Sequence, residues 1–188
     1  LFSKVFVSTD SIKIAKISEK YGAEVDFLRP KSLASPKTPI KSVVKNVIKS
    51  FEDENIFFDF VCCLFPIAPM TTKYSLRNSY IKIKKSKFNF IFPATSPHGT
   101  NQHFFQVNNN LKIVKLFKKK TKKNLKNIYS DSGQFYWGKS LHWKEKNTKI
   151  IDTKKTGIII SKKNFGIDVN FLEDWRFLKK EFKKIYDN

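Results

Sequence analysis

The sequence predicts an α/β protein with a mostly parallel sheet and flanking helices. Short apolar runs alternate with amphipathic segments over the first half of the chain, the order expected when crossover helices connect parallel strands. The run from Phe57 to Phe65 is apolar except for Asp59, which is typical of a central parallel strand buried on both faces. The stretch 129–138 joins aromatic residues to a polar head, and open α/β sheets bind their ligands at strand ends.

The composition predicts one folded domain covering residues 1–188. Hydrophobic residues make up 40% and aromatic residues 15% of the chain, which argues against a disordered protein. No apolar run is long enough to span a membrane, and the first residues lack a signal-peptide pattern. Cys62 and Cys63 are adjacent and poorly placed to form a disulfide, so we expect core thiols in a reducing compartment, the cytoplasm.

The chain is strongly basic, with 37 Lys and Arg against 16 Asp and Glu and a formal charge of +21. One interpretation of this balance is nucleic-acid binding. The excess is mostly Lys spread along the chain, and it accompanies abundant Asn, Ile and Phe, which share A/T-rich codons. Codon bias is the better explanation, because neither a helix-turn-helix nor an RNA-binding motif is present. The positive field still attracts anionic substrates.

The first predicted strand–helix pair lies at the start of the sequence. Val5–Val7 predicts a short buried strand, and Ser8, Thr9 and Asp10 follow it as a helix cap. A helix then runs from Ser11 and ends at Gly22. The apolar stripe predicted for this helix consists of Ile14, Ile17 and Tyr21.

A second strand–helix pair is predicted after the first. Glu24–Leu28 predicts a strand, and Thr38-Pro39 predicts a helix start with proline at the first helical position. The helix after it has the clearest amphipathic spacing in the chain. Its apolar positions are Ile40, Val43, Val44, Val47, Ile48 and Phe51.

The third strand–helix pair begins with the predicted central strand, Phe57 to Phe65, which ends in the turn 66–69. Thr71 or Thr72 then opens a helix, and Phe88 to Phe92 forms the next strand. We expect Leu76, Tyr80 and Ile83 to form the buried stripe of that helix.

The pattern changes in residues 93–128, where no helical period is visible. Short apolar pieces alternate with turns and with the basic run Lys118 to Lys126. We predict a small β-hairpin arm that serves in homodimer formation. The lysine run is typical of a solvated face, and phosphate binding is the alternative.

The stretch 129–138 returns the chain to the sheet as a buried strand with Asp131, Gly133 and Gln134 at its head. Tyr136 and Trp137 are predicted as core residues of this strand. Later strands are predicted at Ile150-Ile151 and at Gly157–Ile160. The last helix is predicted to place four apolar residues on one face, namely Trp175, Leu178, Phe182 and Ile185.

Several stretches resemble the cytidylyltransferases that activate nonulosonic acids, the CMP-sialic acid synthetases and the pseudaminic acid cytidylyltransferases. The run 131–138, Asp-Ser-Gly-Gln-Phe-Tyr-Trp-Gly, is similar to the Asp-Ala-Gly-Gln-Phe-Tyr-Trp-Gly of the pseudaminic branch. The runs 5–11, 27–30 and 61–69 also resemble that branch, and 168–175 is similar to its Asp-Ile-Asp-Thr-Pro-Glu-Asp-Trp.

The resemblance implies a Rossmann-like nucleotide-diphospho-sugar transferase fold. It also implies transfer of CMP from CTP to a nine-carbon acidic sugar of the pseudaminic or sialic type, with release of pyrophosphate. The implied cofactor is Mg²⁺, which prefers carboxylates together with substrate phosphates. The implied assembly is a homodimer.

The resemblance also assigns candidate site residues. The sugar side consists of Gln134, Asp131, Gln102 and His103. The nucleotide side consists of Ser8, Thr9, Asp10 and Pro66. Asp168 is the catalytic and metal-binding acid, and Asn170 occupies the position of the second metal-binding Asp. An ordinary helix cap is an equally good interpretation of Ser8, Thr9 and Asp10.

One part of the family pattern has no counterpart in this sequence. The family begins with a strand and a loop rich in Gly, Lys and Arg that wraps the triphosphate, whereas this sequence begins at Leu1 with the run into the second strand. We therefore expect the first strand to be missing and the enzyme to be an N-terminally truncated form. The alternatives are a non-catalytic relic or interaction module of the same fold and, third, a basic nucleic-acid-binding protein.

Overall fold

The computed structural model describes residues 1–66, 68–96, 104–117, 126–161, 169 and 171–186. The elements in these ranges are α1 (Ile12–Lys20), α2 (Ile40–Asp53), β1 (Phe60–Leu64), α3 (Lys73–Lys85), β2 (Phe90–Thr95), β3 (Phe104–Val107), β4 (Ile113–Phe117), β5 (Ile128–Asp131), β6 (Phe135–Lys139), α4 (Ser140–Lys144), β7 (Thr156–Ile160) and α5 (Leu172–Tyr186), with a 3-10 turn over Lys31–Leu33. Two compact units contain them: residues 1–59 with 143–146, and residues 60–142 with 147–188. In the described part of the chain, no helix has both the length and the apolar character that crossing a membrane requires.

Helix α1 of the first unit has the boundaries that its sequence predicts. The Ser11 hydroxyl accepts a hydrogen bond from the Ile14 amide at 3.4 Å, and Gly22, at φ +84°, ends the helix. The amides of Gly22 and Ala23 bond to the carbonyls of Glu19 and Ser18, which is the Schellman pattern. The predicted apolar stripe is wrong, however, because Ile14 and Ile17 are each 50% exposed and Tyr21 is 84% exposed.

The two strands predicted around α1 are reduced to one parallel bridge between Phe6 and Glu24. The amide of Val7 bonds to the carbonyl of Glu24, and the amide of Glu24 bonds to the carbonyl of Val5. Residues 25–28 continue as bends and irregular chain, so the strand prediction for Glu24–Leu28 is wrong beyond its first residue.

Helix α2 forms the core of the first unit. Val43, Val44, Ile48 and Phe51 are buried, as the amphipathic spacing predicts. The ring of Phe51 packs edge-on against Phe6 and Phe58, with centroids 5.3 and 5.6 Å away. Pro39 rather than Thr38 stands at the N-cap, without a side-chain cap bond. The helix start is therefore one residue later than the sequence predicts.

The second unit contains the sheet, whose strand order is β1-β6-β2-β5-β3-β4, with β7 beside β2. Among the described strands only β2 and β7 pair in parallel. The other pairs, β1–β6, β2–β5, β2–β6, β3–β4 and β3–β5, are antiparallel. The prediction of a mostly parallel sheet is wrong for this unit, because β6 lies between β1 and β2 and is antiparallel to both. Strand β3 is likewise antiparallel to both of its neighbours, β4 and β5.

Strand β1 corrects the prediction of a central strand. It pairs antiparallel with β6 at one end of the described strand order, and its residues are half-buried, with Leu64 exposed. A continuous apolar run indicates burial, but it does not determine the direction of the neighbouring strand.

The sheet has an apolar cluster on each face, because successive residues of a strand point to opposite sides. Ile91, Phe135, Trp137 and Ile83 of α3 form one cluster. Phe92, Ala94, Phe105, Val107, Ile113 and Ile158 form the other. Thr72 and Ser75 cap α3 reciprocally. Leu76 and Tyr80 pack with Ile83 against the first cluster, as the sequence predicts.

The hairpin predicted within residues 93–128 is confirmed as β3 and β4. It lies within the sheet, because β3 pairs with both β4 and β5. The carboxamide oxygen of Asn108 accepts bonds from the amides of Asn110 and Lys112 and closes the hairpin turn. Most of the lysine run, residues 118–125, lies outside the described residues, and use of this hairpin as a dimer arm stays a prediction.

The end of the chain follows the predicted order only in part. The strand predicted at Gly157–Ile160 is confirmed as β7, whereas Ile150 and Ile151 form a bend and no strand. In α5, Leu178 is buried, but Trp175 is 44% and Phe182 36% exposed, so the predicted apolar face is only partly covered. The side chain of Ile185 lies outside the described residues.

Candidate functional site

The polar stretch 129–138 forms two strands that lie along one edge of β2. Ser130 pairs with Thr95 and Asp131 with Ala94, and farther along Trp137 pairs with Ile91. Phe92 and Pro93 of β2 therefore face the five residues 132–136. This excess of residues forms a bulge between β5 and β6 and places the polar head of the stretch inside it.

Two residues explain why the bulge forms here. Pro93 has no amide hydrogen to give to a sheet neighbour, and its carbonyl accepts bonds from both the amide and the hydroxyl of Ser132, at 3.1 and 2.7 Å. Gly133 has φ +65°, a conformation that a residue with a Cβ rarely adopts. The single continuous strand predicted for this stretch is therefore interrupted at Ser132–Gln134.

Asp131 spans the bulge with its carboxylate. One oxygen, Oδ1, accepts a hydrogen bond from the Gly133 amide at 2.9 Å. The other, Oδ2, accepts a hydrogen bond from the hydroxyl of Tyr136. The Tyr136 ring packs edge-on against Phe65 and Phe92, with centroids 5.4 and 5.5 Å away. The sequence predicts Tyr136 only as a core residue and misses the function of its hydroxyl.

Gln134 is the last residue of the bulge and is 4% exposed. Its carbonyl accepts a hydrogen bond from the Phe65 amide at 3.0 Å, where β1 ends and the exposed Pro66 begins the next turn. The structure thus brings together three predicted site residues, Asp131, Gln134 and Pro66. Trp137 is anchored by a bond from its indole nitrogen to the Leu76 carbonyl at 3.1 Å, which confirms its predicted core role.

Ser8, Thr9 and Asp10 belong to the first unit, where Arg29 organises them. The guanidinium of Arg29 donates hydrogen bonds to the hydroxyl and the carbonyl of Ser8, and the Arg29 amide donates to the Thr9 carbonyl at 2.8 Å. Thr9 is buried and caps the Ser11 amide with its hydroxyl, while Asp10 is exposed. The helix cap predicted at Ser8, Thr9 and Asp10 is therefore displaced to Ser11, which is the N-cap residue of α1, and Thr9 binds the amide of that cap residue. The sequence points to Arg29 only as part of the Phe-Leu-Arg-Pro run.

The remaining predicted site residues, Gln102, His103, Asp168 and Asn170, lie outside the described residues. Within the described ranges, no three His, Cys, Asp or Glu side chains gather into a group that could hold a metal ion. The described residues therefore do not test the predicted metal ligands.

Burial shifts the pKa values of two cysteines of β1 and of one lysine of α3. It raises the pKa of Cys63 to about 12 and that of Cys62 well above its usual value, so both residues are neutral thiols at physiological pH. This agrees with the predicted core role and argues against a reactive thiolate. Burial also lowers the pKa of Lys82, whose ammonium donates a hydrogen bond to the Ile158 carbonyl at 2.9 Å.

Comparison with curated proteins finds relatives along nearly the whole chain. It is 30% identical over 186 residues to "Pseudaminic acid cytidylyltransferase" of Campylobacter jejuni, an alignment that covers 97% of this chain and 79% of that protein. It is 28% identical over 149 residues to "Pseudaminic acid cytidylyltransferase and UDP-2,4-diacetamido-2,4,6-trideoxy-beta-L-altropyranose hydrolase" of Helicobacter pylori, covering 77% of this chain and 28% of that protein. No family model matches the sequence.

Comparison with solved structures identifies the fold. The structure of CMP:2-keto-3-deoxy-manno-octonic acid synthetase complexed with CTP matches with a TM-score of 0.70 at 8% sequence identity, covering 98% of this chain and 81% of that one. At this identity the match establishes an α/β nucleotidyltransferase fold and nothing about the chemistry of individual residues.

Proposed function

The chain belongs to the family of the pseudaminic acid cytidylyltransferases, and from this membership we propose that it transfers CMP from CTP to a nonulosonic acid. The observation that carries the proposal is 30% identity across 97% of the chain to one such enzyme. In the reaction the anomeric hydroxyl of the sugar attacks the α-phosphorus of CTP and loses its proton. The bond from that phosphorus to the bridging oxygen breaks, and pyrophosphate leaves.

We propose a sugar of the pseudaminic type as the substrate. Two relatives that align with 97% of the chain both carry that name. The run 131–138, which resembles the pseudaminic branch, forms the bulge that holds Gln134. We propose Gln134 as a sugar contact at this bulge and, from the resemblance alone, Gln102 and His103 as further contacts. Asp131, which the resemblance also assigns to the sugar side, lies beside Gln134 in the same stretch.

Nucleotide contacts are proposed for Ser8, Thr9, Asp10 and Pro66. Support differs among them, because Thr9 is buried and its hydroxyl accepts a hydrogen bond from the Ser11 amide, whereas Asp10 and Pro66 are exposed. Asp10 and Pro66 are therefore the two side chains of this set that a ligand can reach without rearrangement.

A divalent cation, Mg²⁺, is part of the proposal, with Asp168 as its main ligand and catalytic acid and Asn170 as the second ligand. A cation at such a position neutralises the charge that develops on the phosphates. Neither residue lies in the described part of the chain. A homodimer and a cytoplasmic location complete the proposal, and light scattering coupled to size exclusion measures the assembly.

The test is pyrophosphate release by the full-length protein, including any residues that precede Leu1 in its gene. CTP and Mg²⁺ are supplied with pseudaminic, legionaminic or N-acetylneuraminic acid, and EDTA replaces Mg²⁺ in a control. We expect release that depends on the sugar, is largest with pseudaminic acid and is lost in EDTA. If the protein releases no pyrophosphate with any of the three sugars, the proposed function is wrong.

A further inference from the structure

The bulge at Ser132–Gln134 is held by a side-chain strut between its two ends. Asp131 is the last residue of β5 and Tyr136 lies in β6, and the tyrosine hydroxyl donates a hydrogen bond to Oδ2 of the aspartate. The same carboxylate accepts the amide of Gly133 through Oδ1 at 2.9 Å. Both carboxylate oxygens therefore have donors within the protein.

Gln134 lies within the segment that this strut spans. Gln134 is enclosed between the two ends that Asp131 connects, and its carbonyl receives the Phe65 amide at 3.0 Å. Ser132, on the other side of Gly133, is bound twice to the Pro93 carbonyl. The bulge is thus held at three places. Ser132 is bound to Pro93 of β2, Gln134 is bound to Phe65 at the end of β1, and Asp131 is bound to Tyr136 of β6.

The charge of Asp131 also argues against direct contact with the substrate. The proposed sugar is an acid, and a carboxylate placed against another carboxylate is unfavourable in a partly buried site. Each oxygen of the Asp131 carboxylate already accepts a hydrogen bond, one from the Tyr136 hydroxyl and one from the Gly133 amide, so neither oxygen depends on a ligand for its donor. Gln134 is neutral and offers both donors and an acceptor, so it suits an acidic polyhydroxylated sugar better.

We propose that Asp131 and Tyr136 are positioning residues that hold the Gln134 turn in its binding conformation, and that Asp131 does not itself bind the sugar. The inference rests on the proposed function for the identity of the ligand. The strut itself is a property of the fold and is testable without any ligand.

Three variants separate the two roles of Asp131. Tyr136→Phe removes the hydroxyl and keeps the ring between Phe65 and Phe92. Asp131→Ala removes both acceptors. Asp131→Asn is the matched control, because its carboxamide oxygen still accepts the Gly133 amide and its nitrogen donates a hydrogen bond to the tyrosine oxygen. A positioning residue tolerates this change, whereas a residue that acts through its charge does not.

The first measurement is amide hydrogen exchange of Gly133 and Phe65 in the full-length protein without ligand. We expect exchange about tenfold faster in Asp131→Ala and Tyr136→Phe and close to wild type in Asp131→Asn, because a lost strut lets the turn open locally. Unchanged exchange in both of the first two variants would overturn the inference, whatever the enzyme activity is.

The second measurement is the KM for sugar and for CTP in the pyrophosphate assay, with Gln134→Ala for comparison. We expect Asp131→Ala, Tyr136→Phe and their double variant to raise the sugar KM to a similar extent, by about tenfold, with the CTP KM little changed. Asp131→Asn should stay near wild type. If Asp131→Asn loses as much as Asp131→Ala while Tyr136→Phe is normal, Asp131 contacts the substrate and the inference is wrong. If the wild-type protein releases no pyrophosphate with any sugar, the proposed function fails and the exchange rates alone decide whether the strut exists.

Discussion

Two buried threonines on neighbouring strands show how much the surroundings of a single hydroxyl matter. Thr156 of β7 donates a hydrogen bond to the Ile150 carbonyl at 2.9 Å and accepts one from the Asp152 amide at 3.2 Å. Thr95 of β2 is equally buried. Among the described residues, however, neither its hydroxyl nor that of Ser130 opposite it has a hydrogen-bond partner. A buried hydroxyl without a partner costs about 1–3 kcal/mol.

Replacement of each threonine by valine should therefore have opposite effects on stability. We expect Thr95→Val to leave the free energy of unfolding unchanged or to raise it by about 1 kcal/mol, because the shape is kept and an unsatisfied group is removed. Thr156→Val should lower it by about 1–3 kcal/mol, since it leaves the Ile150 carbonyl and the Asp152 amide, both in half-buried residues, without their bonds to the Thr156 hydroxyl. Urea denaturation measures both variants. Equal losses would mean that the Thr95 hydroxyl forms a hydrogen bond in solution.

For single residues, the sequence predicts where the polar cluster of the site lies but not the hydrogen bonds within it. Asp131, Gly133 and Gln134 are conspicuous because a buried strand does not need them for packing. The bond from Tyr136 to Asp131 is not predictable, since it depends on a bulge that inserts Ser132–Gln134 opposite Pro93. Arg29 is missed for a similar reason, because its partner Ser8 is distant in sequence.

The elements divide into those that local chemistry determines and those that depend on pairing. Helices α2 and α3 follow from their apolar spacing, and the Thr72–Ser75 capping box and Gly22 place helix ends where the sequence predicts them. Strand direction was predicted wrongly, because an apolar run looks the same beside a parallel or an antiparallel neighbour. The stripe of α1 shows the limit of periodicity, since Ile14 and Ile17 are on one face of a helix and yet half exposed.

Strand β1 contains two free cysteines, Cys62 and Cys63, and both are half-buried. Burial raises the pKa of Cys63 from 9.0 to about 12, whereas the thiol of the unfolded chain ionises near 9.0. The folded state therefore keeps a proton that the unfolded state loses. The contribution of this thiol to stability is fully present below pH 9.0 and is lost as the pH rises toward 12.

We expect the native thiols to react slowly with Ellman's reagent at pH 8 and to react readily in urea, because the thiolate is the reactive form. The comparison of wild type with Cys63→Ala isolates this residue from the many lysines that titrate in the same range. Between pH 8 and 11, the free energy of unfolding should fall more steeply in wild type than in Cys63→Ala. Parallel curves would show that Cys63 is accessible to water in the folded protein.

For the molecule as a whole, the dominant electrostatic fact is the excess of positive charge. Lys and Arg number 37 and Asp and Glu number 16, so most cations have no acid available to pair with. The ion pairs among the described residues include Lys4 with Glu24 and Asp26, Lys144 with Glu52, and Lys184 with Glu181. Such pairs contribute little on a protein surface, and a large net charge opposes the compact state by self-repulsion.

This repulsion predicts that salt stabilises the protein. Raising NaCl from about 0.02 to 0.2 M shortens the screening length from about 20 to 7 Å, and we expect the free energy of unfolding to rise by about 1 kcal/mol because unpaired lysines repel one another less. The double variant Lys13→Gln/Lys16→Gln, at two exposed positions of α1, is the matched control. It should be more stable than wild type at low salt and respond less to added salt in urea denaturation. A stability that stays constant or falls with NaCl would show that local ion pairs outweigh the net charge.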